Sequence, residues 1–255
     1  MAQTQINYKP TFFDMLKHLS QVHIDVIIEK TDAGNVLVQK RNEIGSIAYT
    51  LEVEPTIFNF DVDENKMAFQ NFPEVFQLMK LVGSTATMST NSDATMLKIV
   101  DGKTKIDVNL GSTDAITSGF GGKRIPFDND NSHKIAYSHS MTTRILKVLG
   151  TLPSADSDRR LTFTIDGANL VVDFWSVAHN TKVTEEFEGV VTTNGDASET
   201  EFILNSEVFK LLPNMGDESF ENSLYINDKG IFKFNFKSKE SSEFNLDMIT
   251  AKIKK

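Results

Sequence analysis

Arg144 and Lys147 stand three residues apart in the run Ser138 to Leu149, Ser-His-Ser-Met-Thr-Thr-Arg-Ile-Leu-Lys-Val-Leu. At roughly 100° per residue, Met141, Ile145, Leu146, Val148 and Leu149 fall on one helical face, with Thr143, Arg144 and Lys147 on the other. Ser138 or Ser140 is placed to cap this helix, because a serine hydroxyl accepts an otherwise unpaired N–H of the first turn. The chemistry open to such a polar face is ion pairing with an anion. Three further stretches repeat the arrangement: Lys17, Lys80 and Lys210 each oppose an apolar stripe, and His18 adjoins Lys17. The acids of these segments, Asp14, Glu74 and Glu207, come early and most of the cations late, an order that the helix dipole favours without any ligand. Yet the segments are basic in a chain whose 26 Lys and Arg face 35 Asp and Glu, a formal charge of −9. Four helices of one polarity predict a common basic surface.

Chemistry of other kinds finds little support. Gly121-Gly-Lys-Arg124 fails as a phosphate-binding loop, with Thr117 where the first glycine belongs and Arg124 where Ser or Thr is needed. Asp128-Asn-Asp-Asn-Ser132 begins like a calcium loop, but His133 and His139 replace the required Gly and Glu. Asp61, Asp63 and Glu64 read as a solvated strand end rather than a metal grip. The five histidines lack ligand spacing, and no Gly-x-Ser-x-Gly elbow occurs. With no cysteine, thiolate nucleophiles, thiolate metal sites and disulfides are excluded. The expectation is a protein that is not an enzyme, with no cofactor and no metal. Trp175 is expected to serve core or strand packing rather than as a stacking platform.

The elements that position the cations follow from hydropathy. Gln5–Lys9 reads as a strand, and residues from Pro10 or Thr11 to Gln21 as a helix with Phe12, Phe13, Met15, Leu16 and Leu19 inside. β-rich runs follow at His23–Lys30, Asn35–Arg41, Ile47–Glu54, Thr56–Asp61 and Asn65–Gln70. Phe72–Val82 is a second helix, with Pro73 tolerated in its first turn. Strands are expected at Thr85–Thr90, Ala94–Val100 and Lys105–Leu110. Between Thr113 and Ser132, glycine, proline and asparagine are dense and the periodicity stops, as in a linker. The order then repeats: strand Lys134–Ser138, helix, strands at Leu161–Asp166, Asn169–Trp175, Val183–Val191 and Glu201–Leu204, helix Ser206–Leu212, and three strands to Ala251. The fold class is therefore α+β, two similar domains over 1–115 and 133–255 joined by a connector over 116–132, each a β-sheet with two helices on one face. No apolar run approaches the roughly 18 residues of a membrane span, and the N-terminus lacks signal-peptide regions. No membrane partner and a cytoplasmic location are expected, in the host cell if the protein is viral.

Three runs carry a resemblance: Phe12-Phe-Asp-Met-Leu-Lys-His-Leu19, Met67-Ala-Phe-Gln-Asn-Phe-Pro-Glu-Val-Phe-Gln-Leu-Met-Lys-Leu-Val82, and Ile125-Pro-Phe127 just before the second repeat. With the two-domain repeat and the four cationic helices, the chain resembles DNA polymerase sliding clamps. The nearer likeness is to the clamp of T-even-type bacteriophages, the more distant to proliferating cell nuclear antigen. The resemblance implies a DNA polymerase processivity factor with the DNA clamp fold, a head-to-tail homotrimeric ring around double-stranded DNA without sequence preference. It implies that Lys17, Lys80, Arg144, Lys147 and Lys210, with His18 secondary, face the DNA. It implies a subunit joint between Lys105–Leu110, notably Lys105, Ile106, Val108 and Leu110, and a neighbour's Thr181–Glu188, notably Val183, Glu185 and Phe187. A clamp loader and a DNA polymerase are the implied partners, with Ile44, Ile125, Pro126, Met248 and Ile249 matching the region that takes a partner's hydrophobic motif. Lys40 departs from the pattern, standing where cellular clamps have an apolar pocket residue. The competing readings are a β-rich structural virion protein and a monomeric DNA-binding processivity factor of the same fold. Limited proteolysis is expected to cut first between Gly119 and Asn131, as in an exposed connector. Early cutting inside either half, with that stretch intact, would count against two domains.

Overall fold

The computed structural model describes residues 3–42, 46–83, 85–114, 116, 126–153, 159–176, 179–213, 215–239 and 244–252. The chain divides into two compact units, one of Met1–Arg124 with Ser241–Leu246, the other of Ile125–Glu240 with Asp247–Lys255. In chain order the elements are β1 (Gln3–Tyr8), α1 (Pro10–Leu19), β2 (Val26–Lys30), β3 (Val36–Arg41), β4 (Ile47–Val53), β5 (Phe58–Asn59), β6 (Lys66–Phe69), α2 (Phe72–Met79), β7 (Thr87–Asn91), β8 (Met96–Asp101) and β9 (Thr104–Asn109). After them come β10 (Ser132–Ala136), α3 (His139–Thr151), β11 (Arg159–Asp166), β12 (Asn169–Ser176), β13 (Thr181–Phe187), β14 (Val191–Thr193), β15 (Glu201–Asn205), α4 (Glu207–Lys210), β16 (Phe220–Asn227), β17 (Ile231–Ser238) and β18 (Phe244–Ala251). No helix among the described residues is long and apolar enough to cross a membrane.

Each unit spreads its strands over two sheets, a finer division than one sheet per half. In the first unit the strand orders are β5-β1-β7-β8-β9 and β4-β3-β2-β6. In the second they are β13-β12-β11-β15 and β14-β10-β16-β17-β18. All the described pairings are antiparallel. Two-residue turns set two of the registers: Asp101 pairs with Thr104 and Asp166 with Asn169. Gly102 at φ 57° and Gly167 at φ 58° supply the positive φ that such tight turns require. The run expected as one strand, Val183–Val191, is two. β13 pairs with β12 and β14 with β10, so the chain changes sheets at Gly189, whose N–H donates to Asn169 Oδ1 at 3.0 Å.

Aromatic packing fixes the helices. Phe12, Phe13, Leu16 and Leu19 are the buried side of α1, while Met15 is only half-buried. Phe12 stacks on Phe58 at 4.4 Å between centroids, and Phe13 meets Tyr8, Phe58 and Phe72. Phe72 also contacts Phe69 and Phe76, tying α2 to the strand that leads into it. In the second unit Phe209 of α4 stacks on Phe163 and packs edge-on to Phe234. α4 is shorter than the seven residues expected from the sequence, a single turn whose Glu207 N–H donates to Asn205 Oδ1 at 3.0 Å. α3 keeps the expected cap: Ser138 Oγ accepts from Met141 N at 3.1 Å, and the His139 N–H donates to both oxygens of Asp217. Leu146 corrects the expected apolar face. It is 39% exposed, since it lies about 140° around the helix from the buried Met141.

Phe72 is fully buried among three other rings, those of Phe13, Phe69 and Phe76. Phe72→Ala should lower unfolding stability by about 3–5 kcal/mol, the usual range for an aromatic cavity. The check is urea unfolding, where the midpoint falls at unchanged slope. A shift equivalent to under about 1 kcal/mol would mean that α1 and α2 are not held by this cluster.

Candidate functional site

The cations of the first unit share one surface. Lys17 of α1 and Lys80, at the C-terminal cap of α2, each hold an ammonium 5.4 Å from the centroid of Phe76. The ring attracts both, an effect worth about 0.5–1 kcal/mol at an exposed site. Lys17 and Lys80 are exposed, and neither makes an ion pair among the described residues. With His18, Asp14, Gln21 and Phe76 they line a shallow depression. The His18 ring meets Tyr49 edge-on at 6.4 Å. The structure thus brings Lys17, His18 and Lys80 together, which helical angles in separate segments do not reveal.

The second unit treats its cations differently. Arg144 donates from Nε to Glu185 Oε2 at 2.9 Å and from Nη2 to Oε1 at 2.5 Å, a bidentate pair across 41 residues of sequence. These hydrogen bonds and the charge of Glu185 raise the guanidinium's pKa. Lys210 pairs with Glu207 at 3.3 Å, one turn back on the same short helix. Lys147 is exposed and makes no ion pair among the described residues. Of the predicted set, Lys17, Lys80 and Lys147 keep an unneutralised charge, whereas Arg144 and Lys210 face acids. No sequence signal at Arg144 marks Glu185 as its partner.

The predicted joint residues lie on two sheet edges. Among the described residues β9 pairs only with β8, and β13 only with β12. Ile106 and Val108 sit opposite the buried Ile99 and Leu97 on the inner side, with Lys105 exposed on the outer side. Leu110 lies just beyond β9 and donates its N–H to Thr95 O at 2.9 Å. Antiparallel alternation therefore turns the Val108 N–H toward β8 as well, leaving those of Lys105, Asp107 and Asn109 directed outward. On β13, Val183, Glu185 and Phe187 are half-buried on the inner side, opposite Phe174, Val172 and Leu170. Trp175 is not in the core: it is 36% exposed and packs on the strand, with Nζ of its cross-strand neighbour Lys182 5.4 Å over its ring.

The predicted partner-binding set scatters. Met248 is 0% exposed, a core side chain that no ligand can touch without unfolding. Strand alternation leaves Ile249 half-buried on the opposite side, and Pro126 is exposed. Ile44 and Ile125 lie outside the described residues. The calcium-loop-like run is a turn: Asp128 accepts from Asn131 Nδ2 and from the N–H groups of Asp130 and Asn131, which hold its carboxyl below the usual range. Among the described residues no group of three or more His, Asp or Glu is placed to hold a metal ion.

No family model matches the sequence, and no curated protein matches it. Solved structures match along the whole chain. PCNA from A. fulgidus, solved with the C-terminal region of FEN-1 bound, superposes with a TM-score of 0.76 at 11% identity, covering 100% of this chain and 99% of that one. PCNA from Thermococcus kodakaraensis gives 0.72 at 10% identity, over 99% and 100% of the two chains. The PCNA2–PCNA3 complex from Sulfolobus tokodaii gives 0.71 at 13% identity, over 98% and 99%. The chain has the PCNA fold, an α+β sliding-clamp fold, from end to end.

Lys40, the residue that departs from the clamp pattern, is 0% exposed in β3 and donates from Nζ to His23 O at 2.8 Å. Burial pushes its pKa down to about 7, against a smaller upward pull from Asp25. An unfolded lysine titrates at about 10.4, so between these values the unfolded chain binds a proton that the folded chain does not. Stability supplied by this group therefore rises with pH across that window. Tyr49 and Tyr137 act with the opposite sign, because burial raises their pKa and the unfolded phenols ionise first, near pH ~10. The melting temperature should rise from about pH 7 to about pH 9.5 in the wild type and rise less in Lys40→Met. Parallel curves would show that Lys40 stays charged when folded.

Proposed function

We propose that this chain is a DNA polymerase sliding clamp, a processivity factor that closes as a ring of three copies around duplex DNA. The observation that carries the proposal is the clamp fold over the whole chain in a protein of charge −9 whose helices still expose cations. A ring holds DNA by topology, so its inner surface requires only a weak, sequence-independent attraction to phosphates. Lys17, Lys80 and Lys147 supply it, with Lys210 and His18 secondary. An acidic remainder disfavours DNA lying elsewhere on the protein. The PCNA of A. fulgidus is solved with the C-terminal region of FEN-1 bound, and PCNA2 and PCNA3 of S. tokodaii are solved as a complex. By analogy this chain takes a polymerase and a clamp loader as partners, near Pro126 and Ile249. The sequence runs around Phe12 and Phe72 favour a clamp of the bacteriophage type.

The joint in this reading joins β9 of one copy to β13 of the next. An unpaired strand edge invites other chains, and ring closure removes two of them from every copy. Loading onto nicked circular DNA, ligation and gel filtration test the whole reading. The triple charge reversal Lys17→Glu, Lys80→Glu and Lys147→Glu should fold, because all three side chains are exposed, and should lose retention and polymerase stimulation sharply. The gap from wild type should widen as salt falls, since repulsion from DNA is then less screened. A control reversal at Lys229 and Lys237, exposed on a turn and a strand, should do much less. Equal retention by both variants would make the helix faces ordinary solvated surface.

A further inference from the structure

Glu185 is an acid in an unusual place. It sits on β13, an edge strand, and points to the inner side, opposite Val172, which is fully buried. Its side chain is 18% exposed. Inward-pointing charges on an edge strand are a common device against strand addition, because pairing would strip the last water from the charge. Glu185 alone would thus close this edge to another strand. Arg144 changes that by reaching from α3 to engage both carboxylate oxygens, at 2.9 and 2.5 Å. The outer side of β13 is satisfied in the same manner: Asp173 accepts from Lys182 Nζ at 2.8 Å and Thr184 Oγ1 at 2.6 Å, and Asn169 Nδ2 donates to Glu186 at 3.1 Å. An edge whose charged groups find ion-pair or hydrogen-bond partners within its own unit is an edge prepared for covering.

We infer that Arg144 belongs to the joint between copies of this chain and not to the DNA-facing surface. It is a positioning residue: by neutralising Glu185 it converts a protected edge into one that accepts the β9 strand of a second copy. The inference rests on the ring reading above and assigns Arg144 differently from the other cations of the helices. A carboxylate held by two parallel N–H···O bonds keeps a fixed orientation, so the pair also sets the distance between α3 and the edge it serves.

A mutant cycle read by native mass measurement and sedimentation over a concentration series tests this. Arg144→Ala leaves Glu185 unpaired at the edge and should raise the dissociation midpoint by about a hundredfold or more, as expected for breaking one half of a covered charge pair. Arg144→Ala with Glu185→Val removes the obstacle together with its neutraliser and should return association to the wild-type range. Arg144→Gln with Glu185→Gln keeps the shape and gives the same answer should valine disturb folding. At protein concentrations that keep each variant assembled, the double variants should stay on ligated circles as wild type does, with unchanged salt dependence. Lys147→Ala should lessen that dependence. Arg144→Ala assembling as tightly as wild type would overturn the inference. So would a double variant that assembles but shows the lessened salt dependence of Lys147→Ala. A wild-type chain that is monomeric at every concentration would instead overturn the ring reading itself, before any substitution is made.

Discussion

Rotation of each helix about its own axis is the constraint on which the rest of this structure depends, and aromatic rings fix it. Phe12 on Phe58, Phe13 on Phe72 and Phe209 on Phe163 leave α1, α2 and α4 one way to lie on their sheets. α3 has no phenylalanine of its own and uses Met141, Ile145, Val148 and Leu149, braced by a hydrogen bond from Thr142 Oγ1 to the phenol of the buried Tyr137. A slip of one residue turns a helix by about 100°, enough to carry Lys17 or Lys147 into the core. A buried, unpaired ammonium costs several kcal/mol, so apolar packing and charge exposure enforce the same rotation. Surface charge here is a consequence of core shape.

Sheet edges impose the second constraint. Antiparallel sheets that do not close on themselves end in a row of unpaired N–H and C=O groups. β9 carries alternating Lys105, Asp107 and Asn109 on its outer side, whereas β13 carries an acid on its inner side and α3 supplies that acid with a partner. The two edges are therefore not alike. The proposed head-to-tail ring needs this difference, because each joint would bring two dissimilar surfaces together.

How far the sequence could be read follows from how local each determinant is. The helix starts, the two-residue turns and the repeat of element order rest on neighbouring residues, and Ser138, Gly102 and Gly167 act as their types suggest. Leu146 was misplaced because a face drawn by type takes in every nearby apolar residue, while the buried arc spans about 100°. α4 ended early since Leu211 and Leu212 lie beyond the turn that Asn205 opens. Met248 looked like a surface anchor but falls on the buried parity of β18. The Arg144–Glu185 pair and the burial of Lys40 against His23 depend on tertiary contacts across 41 and 17 residues, which no local pattern encodes.

Counting cations on helices consequently overstates the positive field they produce. The five predicted helix cations are held in three ways, which differ in what reaches solvent. A carboxylate partner, as at Arg144 and Lys210, leaves a local charge near zero. A ring partner, as Phe76 is to Lys17 and Lys80, steadies the ammonium through its quadrupole and leaves the full charge outside. Lys147 reaches solvent with no charged partner among the described residues. Only the last two kinds release counterions from a polyanion, because release scales with the phosphates actually neutralised. A surface with few such charges binds phosphate weakly and loosens quickly with salt. Weak binding suits the proposed clamp, since each contact must break for a ring to move along DNA.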